Sequence, residues 1–366
     1  MNSLQVSLNA GTSGNSSIGN YEHLAMLASG PIYNGETGMG FASLGNPDLT
    51  WENVLSYNLG IKSSFYNRFS LNVEMYHKKT TDMLLSVPVS VTSGFTSQRQ
   101  NVGEMTNSGI EIELNADILK KTAFKWSVSA NIGYNKNKIT KLYGDTDEYV
   151  IGNSRTKLTV GESLGSFYIV RFAGVDPENG DPLWYTKDGG ITNQYSTDNS
   201  VLLDKTYLAP LTGGFTTTFS FKGISLQAFF SWVDDKYMIN NTRYYTESNG
   251  RFAQDQQSRK MFDAWTSDNR YTDVPKYGNP TEFDDRLLEN ASFMRLKNLT
   301  VSWDMPKRWL TSRTNDVLSG VRFYAQAQNL FTWTGYSGLD PEVDSNVQLG
   351  SYPASRTFLF GVDITF

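Results

Sequence analysis

Two histidines, His23 and His77, and no cysteine are all that this 366-residue chain offers to soft-metal or nucleophilic chemistry. They are too few and too isolated for a metal cluster or a catalytic triad, and His77 sits within an alternating segment, so both read as structural or solvent-facing. The lack of cysteine removes thiolate zinc sites, disulfides and cysteine nucleophiles. Asp176, Asn179 and Asp181 could offer oxygen ligands to calcium, but they lack EF-hand spacing, and the interleaved Pro177, Gly180 and Pro182 already explain the segment as turns. The adjacent carboxylates Asp234-Asp235 and Asp284-Asp285 raise the possibility of acid–base hydrolysis. Neighbouring residues on a strand point to opposite faces, and such pairs in loops are ordinarily solvated, so the expectation is no enzyme, no metal and no cofactor.

Aromatic side chains are the other candidates for chemistry. Trp184, Tyr185, Tyr244, Tyr245 and Trp265 fall in long polar segments. A sugar ring has an apolar face that stacks on such side chains, so they could line an external glycan site. They can equally pack loops together or sit at a bilayer interface. Tyr134, Tyr143, Trp232, Trp303 and Trp333, at or near the ends of alternating segments, fit an interfacial girdle better.

The elements that must carry these residues are strands. Aromatics reach 13% of the chain, and a net charge of −5 with pI near 5.2 comes without a basic block, which excludes the electrostatic footprint of nucleic-acid binding. No stretch approaches the ~18 apolar residues of a membrane-spanning helix. Alternation of period two recurs instead. From Phe124 to Tyr134 every even position is apolar or aromatic, and Ile110, Ile112, Leu114, Ala116 and Ile118 alternate with Glu111, Glu113, Asn115 and Asp117. Further runs begin at Phe69, Phe215, Ile224, Leu299, Val321 and Phe358. With less regular segments near Leu4–Gly11 and Val54–Phe65, they make about ten strands of roughly ten residues each, the length a tilted strand needs to cross a bilayer. Tight turns at Tyr66–Arg68, Leu119–Thr122 and Phe221–Gly223 alternate with long connections over 13–52, 80–105, 141–210, 235–290 and 334–352. Short turns at one rim and long loops at the other is the organisation of an antiparallel transmembrane β-barrel. Residues Arg251–Trp265 have a composition compatible with a short helix. The start, Met1 to Val6, has no charged region ahead of an apolar core and does not read as a signal peptide.

The last run, Ser351 to Phe366, resembles the closing strand of the SusC/RagA-like family of TonB-dependent outer-membrane transporters. Its apolar positions Phe358, Phe360, Val362, Ile364 and Phe366, ending on a terminal aromatic, resemble the signal read by the barrel-assembly machinery. Asn46-Pro47-Asp48-Leu49-Thr50-Trp51-Glu52 is similar to the family's entry to a barrel strand, and Asn101 to Glu111 to its segment before an acidic strand. Gly165-Ser166-Phe167-Tyr168 with Ala173 to Pro177 resembles a large-loop motif. Ser292 to Thr300 and Gln328-Asn329-Leu330-Phe331 complete a series that runs the length of the chain in order.

The resemblance implies a 22-stranded barrel of which residues 1–366 are about ten C-terminal strands, with the plug and the TonB-interacting segment outside this sequence. It implies import of a nutrient, an oligosaccharide first and a peptide second. Implied partners are a SusD-like surface lipoprotein, the TonB–ExbB–ExbD complex acting through the plug, the barrel-assembly machinery and outer-membrane lipid. Glu111, Glu113, Asn115, Asp117, Ser127, Ser129 and Asn131 would then face the lumen and touch the plug or line the path. The rival readings are a passive porin-like barrel and a soluble β-rich carbohydrate-binding or adhesin-like protein.

Overall fold

The computed structural model describes residues 1–16, 18–144, 146–150, 155–314, 317–348 and 350–366. Ten strands form one continuous antiparallel sheet in which each pairs with the next in sequence. They are β1 (Ser3–Asn15), β2 (Glu52–Phe65), β3 (Phe69–Pro88), β4 (Ser97–Leu119), β5 (Phe124–Lys141), β6 (Leu211–Phe221), β7 (Ile224–Asp234), β8 (Phe293–Asp304), β9 (Gly320–Thr334) and β10 (Thr357–Thr365). The sheet is therefore a meander, the topology of an up-and-down barrel wall.

Register turns the alternation into faces. Val6, Ile61, Val73, Ile112 and Ile132 pair across β1 to β5 in one row. Beyond Gly213 of β6 the row continues through Trp232, Met294 and Trp333. Gly213 is small for a reason: a Cβ there would lie 2.5 Å from the Trp232 ring, which covers the gap. These rows stay in the open. Leu8 is 79% exposed and Phe360 80%, and among the described residues no second layer covers them. A sandwich would bury this face; a barrel wall offers it to lipid.

Aromatics mark the edges of the apolar band. At the tight-turn rim Phe124, Phe221, Ile224, Trp303, Phe323 and Val362 share a row. Trp126 stacks on Phe219, and Trp303 on Phe323. At the other edge, the row holding Met75, Ile110 and Tyr134 gives way to His77, Ser108 and Lys136, then to Lys79, Thr106 and Lys138. Tyr134, Trp232, Trp303 and Trp333 thus sit on the apolar face. Tyr143 does not: it lies past the end of β5 and packs edge-on against Tyr149.

The turn at Lys222-Gly223 has both residues left-handed, φ 48° and 85°, as a type I′ hairpin demands. Two expectations are corrected. Residues 80–105 are not a loop, because β3 and β4 continue paired as far as Pro88 and Ser97. Within Arg251–Trp265 there is only the short 3₁₀ turn Arg259–Asp263, while two α-helices lie elsewhere, α1 (Asn241–Thr246) and α2 (Lys307–Thr314).

Buried apolar residues gather mainly in the connections. Phe167, Ile169, Ile239, Leu287 and Leu288 form one core, and Met238, Ala291 and Tyr336 another. Small sheets hold this layer, among them Tyr237–Asn240, which pairs with Leu288–Asn290 and with Val347–Gln348. The sheet turns its oily side outward, so the water-excluding core has to be built by the loops.

Candidate functional site

The face of the sheet opposite the apolar rows is polar and in register. Glu111 pairs with Gly133, Glu113 with Asn131, Asn115 with Ser129 and Asp117 with Ser127. On the β3 side Glu74 stands opposite Glu111, and Asn72 opposite Glu113. On the other side Thr212, Gly214, Thr216 and Thr218 extend the same rows. A single alternation places all seven predicted lumen residues on this face. Asn72, Glu74, Glu111, Glu113, Ser129, Asn131 and Thr212 border a depression of about 390 Å³, with room left by Gly133 and Gly214. Among the described residues none of Glu74, Glu111 and Glu113 has an ion-pair partner, and Glu113 accepts a hydrogen bond from Asn115 Nδ2 at 3.0 Å. This wall presents hydrogen-bonding groups and negative charge.

Above it, the loop layer is held by ionic and amide staples. The Arg243 guanidinium donates to both carboxylate oxygens of Glu247 and, at 2.9 Å, to Glu289. Burial alone would lower the Arg243 pKa, but the two carboxylates more than offset it and hold the group protonated. Burial opposes ionisation of Glu289 too, yet hydrogen bonds from Ser337 and Arg243 keep its pKa below the ordinary carboxylate value. Arg243, Glu247, Lys260, Glu289, Asn290, Ser292 and Ser337 line an open hollow of about 730 Å³. Nearby, Lys236 Nζ donates to the carbonyl oxygens of Pro341 and Val343, and its desolvation lowers its pKa.

The five predicted loop aromatics do not converge. Trp184 is 3% exposed; it packs edge-on against Phe172 and Tyr195 and donates from Nε1 to Asp284 at 2.9 Å. It ties the loop layer together and presents no face to a ligand. Tyr185 lies under the Arg171 guanidinium. Tyr244 and Tyr245 form an aromatic cluster with Phe252, and Tyr245 stays 44% exposed. Trp265 covers Gly180 and donates to the Pro177 carbonyl, on the turn that Asp176 opens. In that turn Asp176 Oδ1 accepts from Glu178 N and Asn179 Oδ1 from Asp181 N, while Asp181 accepts from Asn193 and Asn279. Among the described residues no group of three or more His, Asp or Glu side chains is arranged to hold a metal ion.

Asp284-Asp285 is not the solvated pair expected of a loop. Asp284 is fully buried between Arg286 and Trp184, and Asp285, whose pKa burial pushes up, accepts from Phe172 N. Both are structural. His77 hydrogen-bonds Ser108 on the outer face.

The motifs singled out in the sequence prove to be where loops are pinned to strands. Thr50 N and Thr50 O both bond the Asn101 side chain, and Asn46 Nδ2 donates to Arg99 O, so Asn46–Glu52 docks on Asn101–Glu111. Arg295, within Ser292–Thr300, bridges Asp340 and Glu342. Asn329, left-handed at φ 53°, donates to Ser355 O. The sequence reading missed Arg243 and Glu289, which pair across 46 positions of the chain.

Residues 3–330 match the family model described as TonB dependent receptor-like, beta-barrel. TonB-dependent receptor P3 of Formosa agariphila is 31% identical over 97% of this chain and 38% of its own length. TonB-dependent receptor SusC of Bacteroides thetaiotaomicron is 31% identical over 88% of this chain and 32% of its own. The solved RagAB peptide transporter superposes with a TM-score of 0.92 at 40% identity, over 99% of this chain and 41% of that one. The chain thus spans about two-fifths or less of the length of these relatives. With ten consecutive barrel strands, a polar inner face and a staple-bound loop layer, it belongs to the TonB-dependent receptor-like β-barrel family, in its SusC/RagA-like branch.

Proposed function

We propose that the protein of which this chain forms part of the barrel wall imports a nutrient oligomer across the outer membrane, an oligopeptide ahead of an oligosaccharide. The observation that carries import is the register: one wall, apolar outside, is lined inside by Glu111, Glu113, Asn115, Asp117, Ser127, Ser129 and Asn131. The preference for a peptide rests on the likeness to the RagAB peptide transporter, 40% identical over 99% of this chain. The aromatic case for sugar is weaker once Trp184 is buried; half-exposed Tyr245 is what favours an oligosaccharide as the second reading.

Energy coupling would come from TonB–ExbB–ExbD acting on a plug against the polar face, and closure from a SusD-like surface lipoprotein. Phe262, Tyr271 and Tyr277, exposed at 89%, 92% and 76% on the loop between α1 and β8, support a partner surface there. Phe358, Phe360, Val362, Ile364 and Phe366 would serve as the assembly signal. The test is uptake by cells expressing the intact protein of a fluorescent oligopeptide mixture and of labelled oligosaccharides, with and without the proton-motive force. Peptide uptake abolished by an uncoupler is the expected result. Uptake of oligosaccharide alone would reverse the order of substrates, and uptake indifferent to the uncoupler would indicate a passive pore.

A further inference from the structure

The tight-turn rim carries one connection that is not tight. Between β8 and β9, α2 follows Pro306 and opens with Lys307, Arg308, Trp309 and Leu310. Leu310 is buried, whereas Lys307, Arg308 and Trp309 are exposed. Among the described residues neither Lys307 nor Arg308 has an ion-pair partner. The Trp309 ring sits edge-on to Trp303, with centroids 6.3 Å apart. Trp303 belongs to the outward row at this rim, so α2 is held against the lipid-facing side of the wall, not beneath its lumen.

Next to Trp303 the apolar face is dented. Val301, Trp303, Phe323, Ala325, Phe360 and Val362 line an open groove of about 620 Å³. The dent has a simple origin: Val301, Ala325 and Phe360 share a row, and the methyl of Ala325 leaves a gap between the larger Phe360 and, one row nearer the rim, Phe323. Rows on one face lie about 7 Å apart along the strand, so the two rows that line the groove carry it about 7 Å from the rim into the band, room for the first part of an acyl chain.

We propose that α2 and this groove together form a binding site for an anionic phospholipid of the leaflet at the tight-turn rim. The acyl chain lies in the groove, the glycerol region meets Trp303 and Trp309, and Lys307 and Arg308 face the phosphate. Each half points to the same ligand by different physics: the groove is apolar and shaped, and the helix is cationic and placed where headgroups lie. An apolar wall alone would not distinguish one lipid from another; two basic side chains at headgroup height do.

The inference rests on the barrel spanning the outer membrane, and the experiment separates the two. The intact protein, extracted in a neutral detergent, is mixed with phosphatidylglycerol or phosphatidylcholine, and retained lipid is counted by native mass spectrometry. Wild type should keep phosphatidylglycerol in preference to phosphatidylcholine. At about 1 kcal/mol for each basic residue near a headgroup, K307Q/R308Q should weaken phosphatidylglycerol retention roughly 30-fold. A325W, which fills the groove, should lower retention of both lipids while heat-modifiable migration shows that the barrel is folded. Equal retention of both lipids by wild type, or an unchanged preference in K307Q/R308Q, overturns the site. Recovery of the protein in aqueous buffer without detergent would instead overturn the membrane reading itself.

Discussion

Arg295 is 4% exposed, and its guanidinium bridges Asp340 and Glu342 while Nε donates to Thr332. It sits on β8, and its acidic partners lie in the loop that follows β9, so one side chain fixes a connection to the wall. Removing Arg295 leaves buried Asp340 without its cation, at a cost of about 3–5 kcal/mol, while Glu342 keeps its pairing with Lys297. Arg295→Met should therefore release residues 335–346 to limited proteolysis while the strands stay protected. The same cluster sets a pH response. Burial would raise the Asp340 pKa, but hydrogen bonds from Arg295, Ala354 N and Glu342 N outweigh it and hold the group below 3.8. A depressed carboxylate stabilises at every pH above its ordinary value and loses that contribution as pH falls through the depressed one. Amide exchange in residues 336–347, corrected for its intrinsic pH dependence, should stay slow from neutrality down to that ordinary value, 3.8, and quicken below it. Quickening between neutrality and that value would show that Asp340 does not carry the lock.

At the scale of elements, the hairpins are specified at their turns. Gly223 has φ 85°, and a Cβ there would lie 2.8 Å from the Asp304 carbonyl oxygen, so Gly223→Val meets both an unfavourable backbone region and a clash. The expected penalty is about 1–3 kcal/mol, read as a lower urea midpoint for folding into lipid vesicles. A midpoint unchanged from wild type would mean that the turn relaxes without cost. The long extension of β3 and β4 shows the limit of pattern reading. Past the Met75 and Ile110 row the outer face turns polar at His77, Lys79, Ser108 and Thr106, and a bulge with Asp82 at φ 57° then shifts the parity, so the buried Met83, Leu84 and Val87 do not continue the alternation that announces a strand. The residues between 80 and 105 therefore resemble a loop in sequence, while pairing in space carries them to Pro88 and Ser97. α2 escapes notice for a related reason, since eight residues without a capping signature or a long apolar stripe give little periodicity.

For the whole molecule, the decisive property is that neighbouring residues face different solvents. Val128 lies mid-height on the outer face, in the row of Ala116 and Thr217, whereas Ser129 faces inward beside Asn115 and Thr216. Val128→Arg should destabilise the barrel by about 2–4 kcal/mol, the cost of a lipid-facing charge near mid-bilayer, whereas Ser129→Arg should cost little. Folding equilibria of the two variants in phospholipid vesicles measure the contrast, and equal costs would remove the assignment of faces. The same inversion explains why the loop layer holds the water-excluding core around Phe167, Ile239 and Leu287.

From its residues alone the chain declared ten antiparallel strands, the side of each that is apolar, and the rim that carries tight turns, because period-two alternation and turn chemistry are local. The row Glu111, Glu113, Asn115 and Asp117 was legible for the same reason: one strand's parity settles all four. What tertiary structure alone decided is which loop residues meet. Trp184 looked like a ligand-stacking aromatic until Asp284, a hundred residues away, closed over its indole, and the Arg243–Glu289 staple joins positions that no periodicity connects. Those contacts follow from how the loops pack over the rim, a long-range arrangement that adjacent residues do not encode.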